Sequence, residues 1–341
     1  MSKKTIFVIG AGASAEANLP TGDKLKGQIS DLLDYKFDFN KLEKGDYYIY
    51  QALKEICKNP SGGAINSYIK AAQHISEALP LAISIDNFID AHRENDKIAT
   101  CGKLAIVKSI LKAEKESSLY FEYTDRPSKL DFTTLEGSWY IPFFKLLTEN
   151  CSKDQLKKRL ADVTLIIFNY DRCVEHFLVN ALENYYKIEA KEATEIVSSI
   201  EIYHPYGSVG SLPKYNNEIG GTDFGAEVTS SNLVNLADGI KTFTESTTIK
   251  ETFNIKKSMQ QATKLVYVGF AFHKLNMELI TPNSKSMNTP RCFATTFEIS
   301  DSDKIVISKQ IEGQYNGDFN PNLANLKCGK FFTDFWRSLS F

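Results

Sequence analysis

The stretch Thr5-Ile-Phe-Val-Ile-Gly-Ala-Gly-Ala-Ser-Ala-Glu-Ala-Asn-Leu-Pro-Thr-Gly22 decides the fold of this chain. Residues 5–9 are β-branched or aromatic and predict a buried parallel strand that ends at Gly10. α/β proteins often hold a phosphate group at a Gly-x-Gly turn between a strand and a helix, because glycine lets the backbone approach the anion. The third position of the dinucleotide fingerprint falls at Ala15, which the pattern allows. A tight turn without a ligand has the same letters, so this motif alone does not decide the function.

Length and composition narrow the class of protein. The 341 residues, of which 43% are hydrophobic, suffice for one large α/β domain with an inserted lobe or for two domains. The 40 basic and 42 acidic residues give a net charge of -2, so no global positive field indicates nucleic-acid binding. None of the six cysteines forms a Cys-x-x-Cys pair, which disfavours structural zinc and is typical of a reducing cytosol. Without a signal peptide or an apolar run long enough to span a membrane, we expect a soluble cytoplasmic protein.

Polar residues follow three further predicted strands at the point where each strand ends. Residues 163–168 lead into Asn169-Tyr-Asp171, residues 200–203 lead into His204-Pro-Tyr-Gly-Ser208, and residues 265–270 contain Gly269 and Phe270. Residues 293–299 predict a fifth strand. Ligands bind at the carboxyl ends of strands in open α/β sheets, so these residues form one candidate site. A dehydrogenase would also need an acidic residue after a second strand about 20 residues beyond the glycines, and none is apparent.

The sequence predicts a single α/β domain, a Rossmann-like doubly wound parallel sheet with an inserted helical lobe. Its core covers about 1–30 and 155–310, the lobe about 45–150, and a C-terminal aromatic helix about 320–341. Apolar residues in the lobe recur three and four positions apart, as in amphipathic helices. The lobe also contains Asp86, Asp90 and His92, whose spacing matches no strong metal motif and suits helix caps or surface charges.

Four motifs in this order carry a family resemblance. They are Gly10-Ala-Gly-Ala-Ser14, Phe168-Asn-Tyr-Asp171, His204-x-x-Gly207-Ser208 and Val268-Gly-Phe-Ala-Phe272. Together they resemble the sirtuin-like NAD-binding domain over roughly residues 4 to 300. They are most similar to the bacterial sirtuin-like NAD hydrolases of antiphage defence. The resemblance implies NAD⁺ as the substrate, no metal, and an effector that depletes NAD⁺ when activated.

Departures from the deacetylase sirtuins limit what the resemblance implies. The cysteine pairs of the zinc ribbon are missing, Phe168 replaces the usual glutamine, and Pro20-Thr-Gly-Asp23 replaces Asp-Phe-Arg, which argues against acyl-lysine chemistry. In sirtuins the catalytic histidine directly precedes the glycine, whereas here Tyr206 holds that place and His204 lies three residues before Gly207. A tyrosine with a pKa near ~10 is a poor base at neutral pH, so His204 is our candidate base, with the register open.

The implied reaction breaks the bond between nicotinamide and ribose. Asn169 would orient water and the ribose, His204 would accept a proton, and Asp171 would stabilise positive charge or hold the carboxamide. The predicted NAD-binding residues are Gly10, Ala11, Gly12, Ala13 and Ser14 at the diphosphate, Gly269 and Phe270 at the adenosine side, and Tyr206, Gly207, Ser208 and Asp86. Asp86 is included because the resemblance implies a Ser-Ile-Asp-like stretch in the helical lobe.

Alternatives remain at this stage. A non-catalytic NAD or ADP-ribose sensor would bind without turnover, a protein deacylase would need acyl-lysine, and a nuclease would need clustered carboxylates for metal. Asn169 can equally cap the following helix, and His204 can be a hydrogen-bonded structural residue. Because unregulated NAD⁺ hydrolysis is toxic, we expect control by assembly, through a homo-oligomer or a separate sensor such as a HerA-like ATPase or a nucleic-acid-binding protein.

Overall fold

A six-stranded, all-parallel sheet forms the centre of the computed structural model, which describes residues 4–39, 41–58, 64–122, 129–213, 221–247, 250–285, 289–316 and 319–341. The strands are β1 (Thr5–Ile9), β4 (Val163–Ile167), β5 (Glu201–Tyr203), β6 (Lys264–Val268), β7 (Arg291–Thr295) and β8 (Asn322–Ala324), and a separate antiparallel hairpin joins β2 (Lys36–Asp38) to β3 (Lys41–Lys44). Their order in the sheet is β5-β4-β1-β6-β7-β8. This order defines the doubly wound Rossmann-like fold and confirms the predicted fold class.

The first strand lies in the middle of the sheet because it can be buried on both faces. Phe7 pairs with Leu165 of β4 on one side and with Val266 of β6 on the other. All five residues of β1 are buried, as expected for a central parallel strand. The chain winds away from β1 in both directions, so the topological switch point lies between the carboxyl ends of β1 and β6.

Helices cover both faces of the sheet. In chain order, the described helices are α1 (Ala11–Ser14), α2 (Gly22–Leu33), α3 (Tyr47–Lys58), α4 (Ile65–Ala78), α5 (Ile85–Ala91), α6 (Asp96–Lys115), α7 (Tyr140–Thr148), α8 (Lys153–Leu160), α9 (Cys173–Tyr186), α10 (Ala190–Val197), α11 (Ser230–Ala237), α12 (Phe243–Thr247), α13 (Lys250–Gln261), α14 (Lys274–Ile280), α15 (Asp301–Glu312), α16 (Cys328–Asp334) and α17 (Trp336–Leu339). Short 3₁₀ turns add Ala15–Ala17, Leu79–Leu81 and Phe132–Leu135.

The alternation of side chains along β1 separates two hydrophobic cores. Ile6 and Val8 face a core that includes α2 to α6, so the predicted helical lobe shares its interior with that face of the sheet. Phe7 and Ile9 face a second core that includes α7 to α10 and α16. The helix α7, which falls within the predicted lobe, therefore packs on the opposite face.

Two features differ from the sequence expectation. The edge strand β8 was not predicted, because three residues carry too little periodicity to be recognised. The predicted C-terminal aromatic helix consists of the two short helices α16 and α17. Phe332 of α16 is fully buried, with its ring centroid 6.3 Å from that of Phe7 and 5.9 Å from that of Phe143. These aromatic residues belong to the core.

Candidate functional site

The glycine loop after β1 packs backbone to backbone against the loop after β6. The N–H of Gly10 donates to the Val268 carbonyl at 3.0 Å, and the N–H of Gly12 donates to the Gly269 carbonyl at 3.0 Å. A Cβ atom on Gly12 would lie 2.9 Å from the Gly269 oxygen, and one on Gly269, whose φ is +57°, would lie 2.1 Å from the Ala13 nitrogen. The three glycines therefore allow two loops to meet at the switch point.

These contacts occupy backbone N–H groups that the sequence predicted to bind a phosphate. The N–H of Ala13 donates to the Gly10 carbonyl at 2.9 Å, so the amides of both Gly12 and Ala13 bond within the protein. The helix α1 that starts here is only four residues long. Ala11 and Gly12 are partly exposed and form the accessible part of the loop. Their predicted role at a diphosphate remains a prediction.

Asn169 is held at this switch point by two hydrogen bonds from its amide nitrogen. Nδ2 donates to the Gly10 carbonyl at 3.1 Å and to Ser14 Oγ at 2.7 Å. A carbonyl only accepts, so the contact with Gly10 fixes which way the amide points. Its Oδ1 atom is buried and has no partner among the described residues. A buried acceptor without a donor costs about 1–3 kcal/mol, and such an atom in a native structure requires an explanation.

The Asp171 carboxyl contacts Ser14 and the first residue of the following helix, α9. Its Oδ1 accepts the N–H of Cys173, the first residue of α9, at 3.1 Å. The carboxyl is 3% exposed, and burial raises its pKa against the opposing hydrogen bonds from Cys173 and Ser14. The carboxyl contacts the start of α9 and Ser14, and its predicted part in stabilising positive charge stays a prediction.

His204 follows β5 and is bonded through both ring nitrogens. Nδ1 lies 3.1 Å from the main-chain oxygen of Asn169, and Nε2 lies 2.6 Å from Glu175 Oε1. Burial lowers the pKa of His204, but the charge and hydrogen bond of Glu175 outweigh it, so the net shift is upward. His204 thus contacts the main chain of the predicted catalytic asparagine, and in this arrangement neither nitrogen is free to accept a proton.

Tyr206, Gly207 and Ser208 occupy three different surroundings. The Tyr206 hydroxyl donates to Asn276 Oδ1 at 2.9 Å, and burial, reinforced by Asp86 and Asp90, raises its pKa far above the usual value. Tyr206 is therefore no base at neutral pH. Gly207, with φ of +72°, is required because a Cβ would lie 1.8 Å from the Gly239 oxygen. Ser208 lines a cavity of about 200 Å³ together with Arg172, Glu175 and His204.

Asp86 of the helical lobe lies near the carboxyl ends of the strands, which we call the rim of the sheet. Ser84 caps α5 by accepting the N–H of Asn87, and Asp86 follows in the first turn. Asp86 Oδ1 accepts the hydroxyl of Tyr170, the residue next to Asn169. Burial raises the pKa of Asp86 to about 6, against the opposing hydrogen bond from Tyr170. The structure thus places this candidate, which sequence evidence supported least, in contact with the rim.

The aromatic rings of Phe168, Tyr206 and Phe270 pack together beneath the rim. The ring centroid of Phe168 lies 5.1 Å from that of Phe270 and 5.9 Å from that of Tyr206. Phe270 is 3% exposed. These distances are typical of packed aromatic pairs, so Phe270 acts in the described structure as a core residue beneath the rim.

Three charged residues around the site, Glu114, Arg172 and Glu175, were not predicted from the sequence. Glu175 pairs with His204, and Glu114 of α6 forms a buried ion pair with Arg172, directly after Asp171. Arg172 also donates to the carbonyls of Thr222 and Asp223. The available signal was the composition of α9, whose residues 173–179 are apolar on every side apart from Glu175 and His176. A helix buried all round must pair its charges.

The comparisons with known proteins identify no family. No protein-family model matches the chain, and no curated protein matches it significantly. In the described part of the chain, no three His, Cys, Asp or Glu side chains are grouped so that they could hold a metal ion. Nor is any described helix both long enough and apolar enough to cross a bilayer. The sheet order shows a Rossmann-like α/β fold. The candidate site is inferred from the contacts described above.

Proposed function

We propose that this protein is an NAD⁺ glycohydrolase, which cleaves the bond between nicotinamide and ribose and depletes NAD⁺ as a defence effector. One observation carries the proposal: an asparagine amide pinned at the switch point of a Rossmann-like sheet, with its oxygen unbonded. Gly10 and Ser14 orient the Asn169 side chain, and Oδ1 is left to accept from a hydroxyl group. Ribose hydroxyls and water are donors of this kind.

The proposed reaction requires the protein mainly to position the ribose and the attacking water. Nicotinamide leaves NAD⁺ as a neutral molecule, so no strong acid is needed, and a held ribose and water supply much of the rate acceleration. A group that accepts the proton of the attacking water works best with a pKa near the operating pH. Asp86, with its pKa raised to about 6, meets this condition better than His204, whose nitrogens are both engaged. In this proposal Asn169 orients the reactants and Asp86 takes the proton.

The test is NAD⁺ consumption by the purified protein, followed by chromatography of nicotinamide and ADP-ribose. Asn169→Ala is expected to lower the rate by a factor of about 10²–10³, the usual loss when one preorganised polar contact is removed. The matched control is Asn184→Ala, an exposed asparagine on α9 that contacts Lys187, and it should retain full activity. Turnover that survives Asn169→Ala undiminished would refute the proposed site.

A sensor that binds NAD⁺ or ADP-ribose without turnover is the second candidate. It is favoured by the engagement of both His204 nitrogens, which removes the base that the sirtuin resemblance implies. Isothermal titration of NAD⁺ and ADP-ribose separates the two functions. Tight binding to wild type, lost in Asn169→Ala and accompanied by no nicotinamide release at high protein concentration, would support the sensor.

A further inference from the structure

The contacts of His204 determine its protonation state. Its Nδ1 faces the Asn169 carbonyl, which can only accept a hydrogen bond. Its Nε2 faces Glu175 Oε1, which also accepts when the carboxylate is ionised. Both nitrogens must then carry a proton, and the ring is an imidazolium. A neutral ring would leave one of the two contacts without its hydrogen, and such a loss is costly for a side chain that is only 14% exposed.

Glu175 is well placed to keep this charge in the interior. It is 5% exposed and lies in the first turn of α9. Its rigid position on a buried helix fixes His204, and His204 in turn fixes the main chain from which the Asn169 side chain extends. The chain of contacts therefore runs from α9 to the residue that carries the proposed function.

We propose that Glu175 and His204 form a charged positioning pair that fixes Asn169, and that His204 is not the base of the reaction. Only the predicted effect of this pair on the rate of NAD⁺ hydrolysis rests on the proposed function. The charged groups around the ring come from several elements: Glu175 of α9, Asp171 and Arg172 after β4, and Glu251 of α13. Glu251 accepts the main-chain N–H of His204 and pairs with Lys241.

The two roles of His204 predict opposite pH dependences. A base works only when neutral, so its rate rises as pH passes upward through the pKa of His204. A positioning cation makes both of its contacts only when it is protonated, so the rate falls by up to about tenfold as pH passes upward through the pKa of His204, after the rise that ionisation of Asp86 gives at lower pH. Glu175→Gln removes the charge that raises the pKa of His204 and should move this fall to lower pH.

The decisive variants are His204→Asn and His204→Ala. The asparagine Nδ2 occupies roughly the place of the ring Nδ1, so it can still donate to the Asn169 carbonyl, but it has no basicity. A positioning role predicts that His204→Asn keeps its NAD⁺ hydrolysis rate within about tenfold of wild type while His204→Ala loses about 10² or more. Equal loss in both variants, each folded by circular dichroism, would overturn the proposal.

A second measurement, which does not depend on turnover, reports the protonation state of His204 directly. The ¹⁵N shifts of the imidazole ring, assigned with His204→Asn, report whether both nitrogens are protonated at pH 7. We expect a doubly protonated His204 in wild type and a titration at lower pH in Glu175→Gln. A neutral ring in wild type would refute the charged pair even if NAD⁺ hydrolysis were confirmed. A charged ring in a protein without hydrolysis would refute only the proposed function.

Discussion

Replacing Glu114 with alanine tests the buried ion pair that supports the site. Glu114 is 0% exposed and Arg172 is 2% exposed. The carboxylate accepts four hydrogen bonds, from the main-chain N–H, Nε and Nη2 of Arg172 and from the N–H of Gly225 at 3.0 Å. Removal of one partner leaves a buried charge uncompensated, which typically costs about 3–5 kcal/mol. For a domain with a total stability of about 5–15 kcal/mol, this is a large fraction.

The assay is urea unfolding of wild type, Glu114→Ala and an exposed control. The control is Glu116→Ala on the same stretch of chain, whose side chain is 62% exposed and whose pair with Lys112 spans 3.9 Å. An exposed pair of this kind contributes about 0.5 kcal/mol or less. We expect Glu114→Ala to lower the free energy of unfolding by about 3–5 kcal/mol at an unchanged slope. A loss below about 1 kcal/mol would refute the electrostatic argument.

A double variant separates charge from packing. When Glu114→Met is combined with Arg172→Met, neither charge is buried alone, and apolar replacement of a buried ion pair is often neutral or stabilising. The Arg172 and Gly225 amides still lose an acceptor, so we expect partial recovery relative to Glu114→Ala. Stability below that of the single variant would show that the hydrogen bonds, and not the charge balance, dominate this contact.

Three further changes test the switch point, the helix α2 and the lobe. Gly269→Ala places a Cβ 2.1 Å from the Ala13 nitrogen at a φ of +57°, so thermal and urea unfolding should show a loss of about 2–5 kcal/mol. Gly27→Ala in α2, where a Cβ meets nothing within 4 Å, should stabilise by about 0.5–1 kcal/mol, and the opposite ranking would contradict the packing argument. The pKa of Asp86 is raised to about 6, so the ionised form is disfavoured by folding, and wild type should lose about 1–3 kcal/mol relative to Asp86→Asn as pH rises from 4 to 7. Parallel stability profiles over that range would show that the Asp86 carboxylate is not buried.

The sequence predicted the sheet well because strong local signals and topology agree. The apolar runs at 5–9, 163–168 and 265–270 are long enough to be recognised as buried strands, and all three strands lie inside the sheet. Parallel strands present their carboxyl ends at one edge, so the residues that follow them had to meet there. That reasoning brought Ser14 and Asn169 together, and the structure shows them hydrogen-bonded at 2.7 Å.

What the sequence could not predict are contacts between residues far apart along the chain. Glu114 and Arg172 are separated by 58 positions, and Glu175 and His204 by 29. Their type alone indicates a solvated charge, since most glutamates are exposed, and only the packing of α9 on all sides makes them partners. The glycines were recognised but explained incompletely, because the close approach of Gly12 to Gly269 depends on the sheet order.

The helical lobe contributes Asp86 to the proposed site and shares the core of the sheet. Asp86 reaches the rim only because α5 packs into the core that Ile6 and Val8 of the first strand begin. Its contact with Tyr170, the neighbour of Asn169, joins a residue of the lobe to the carboxyl end of β4. Since the lobe and the sheet share one hydrophobic interior, displacement of α5 would expose apolar surface as well as break this contact. Because α5 belongs to this core, the packing of the lobe supports the position of Asp86, as the proposed site would require.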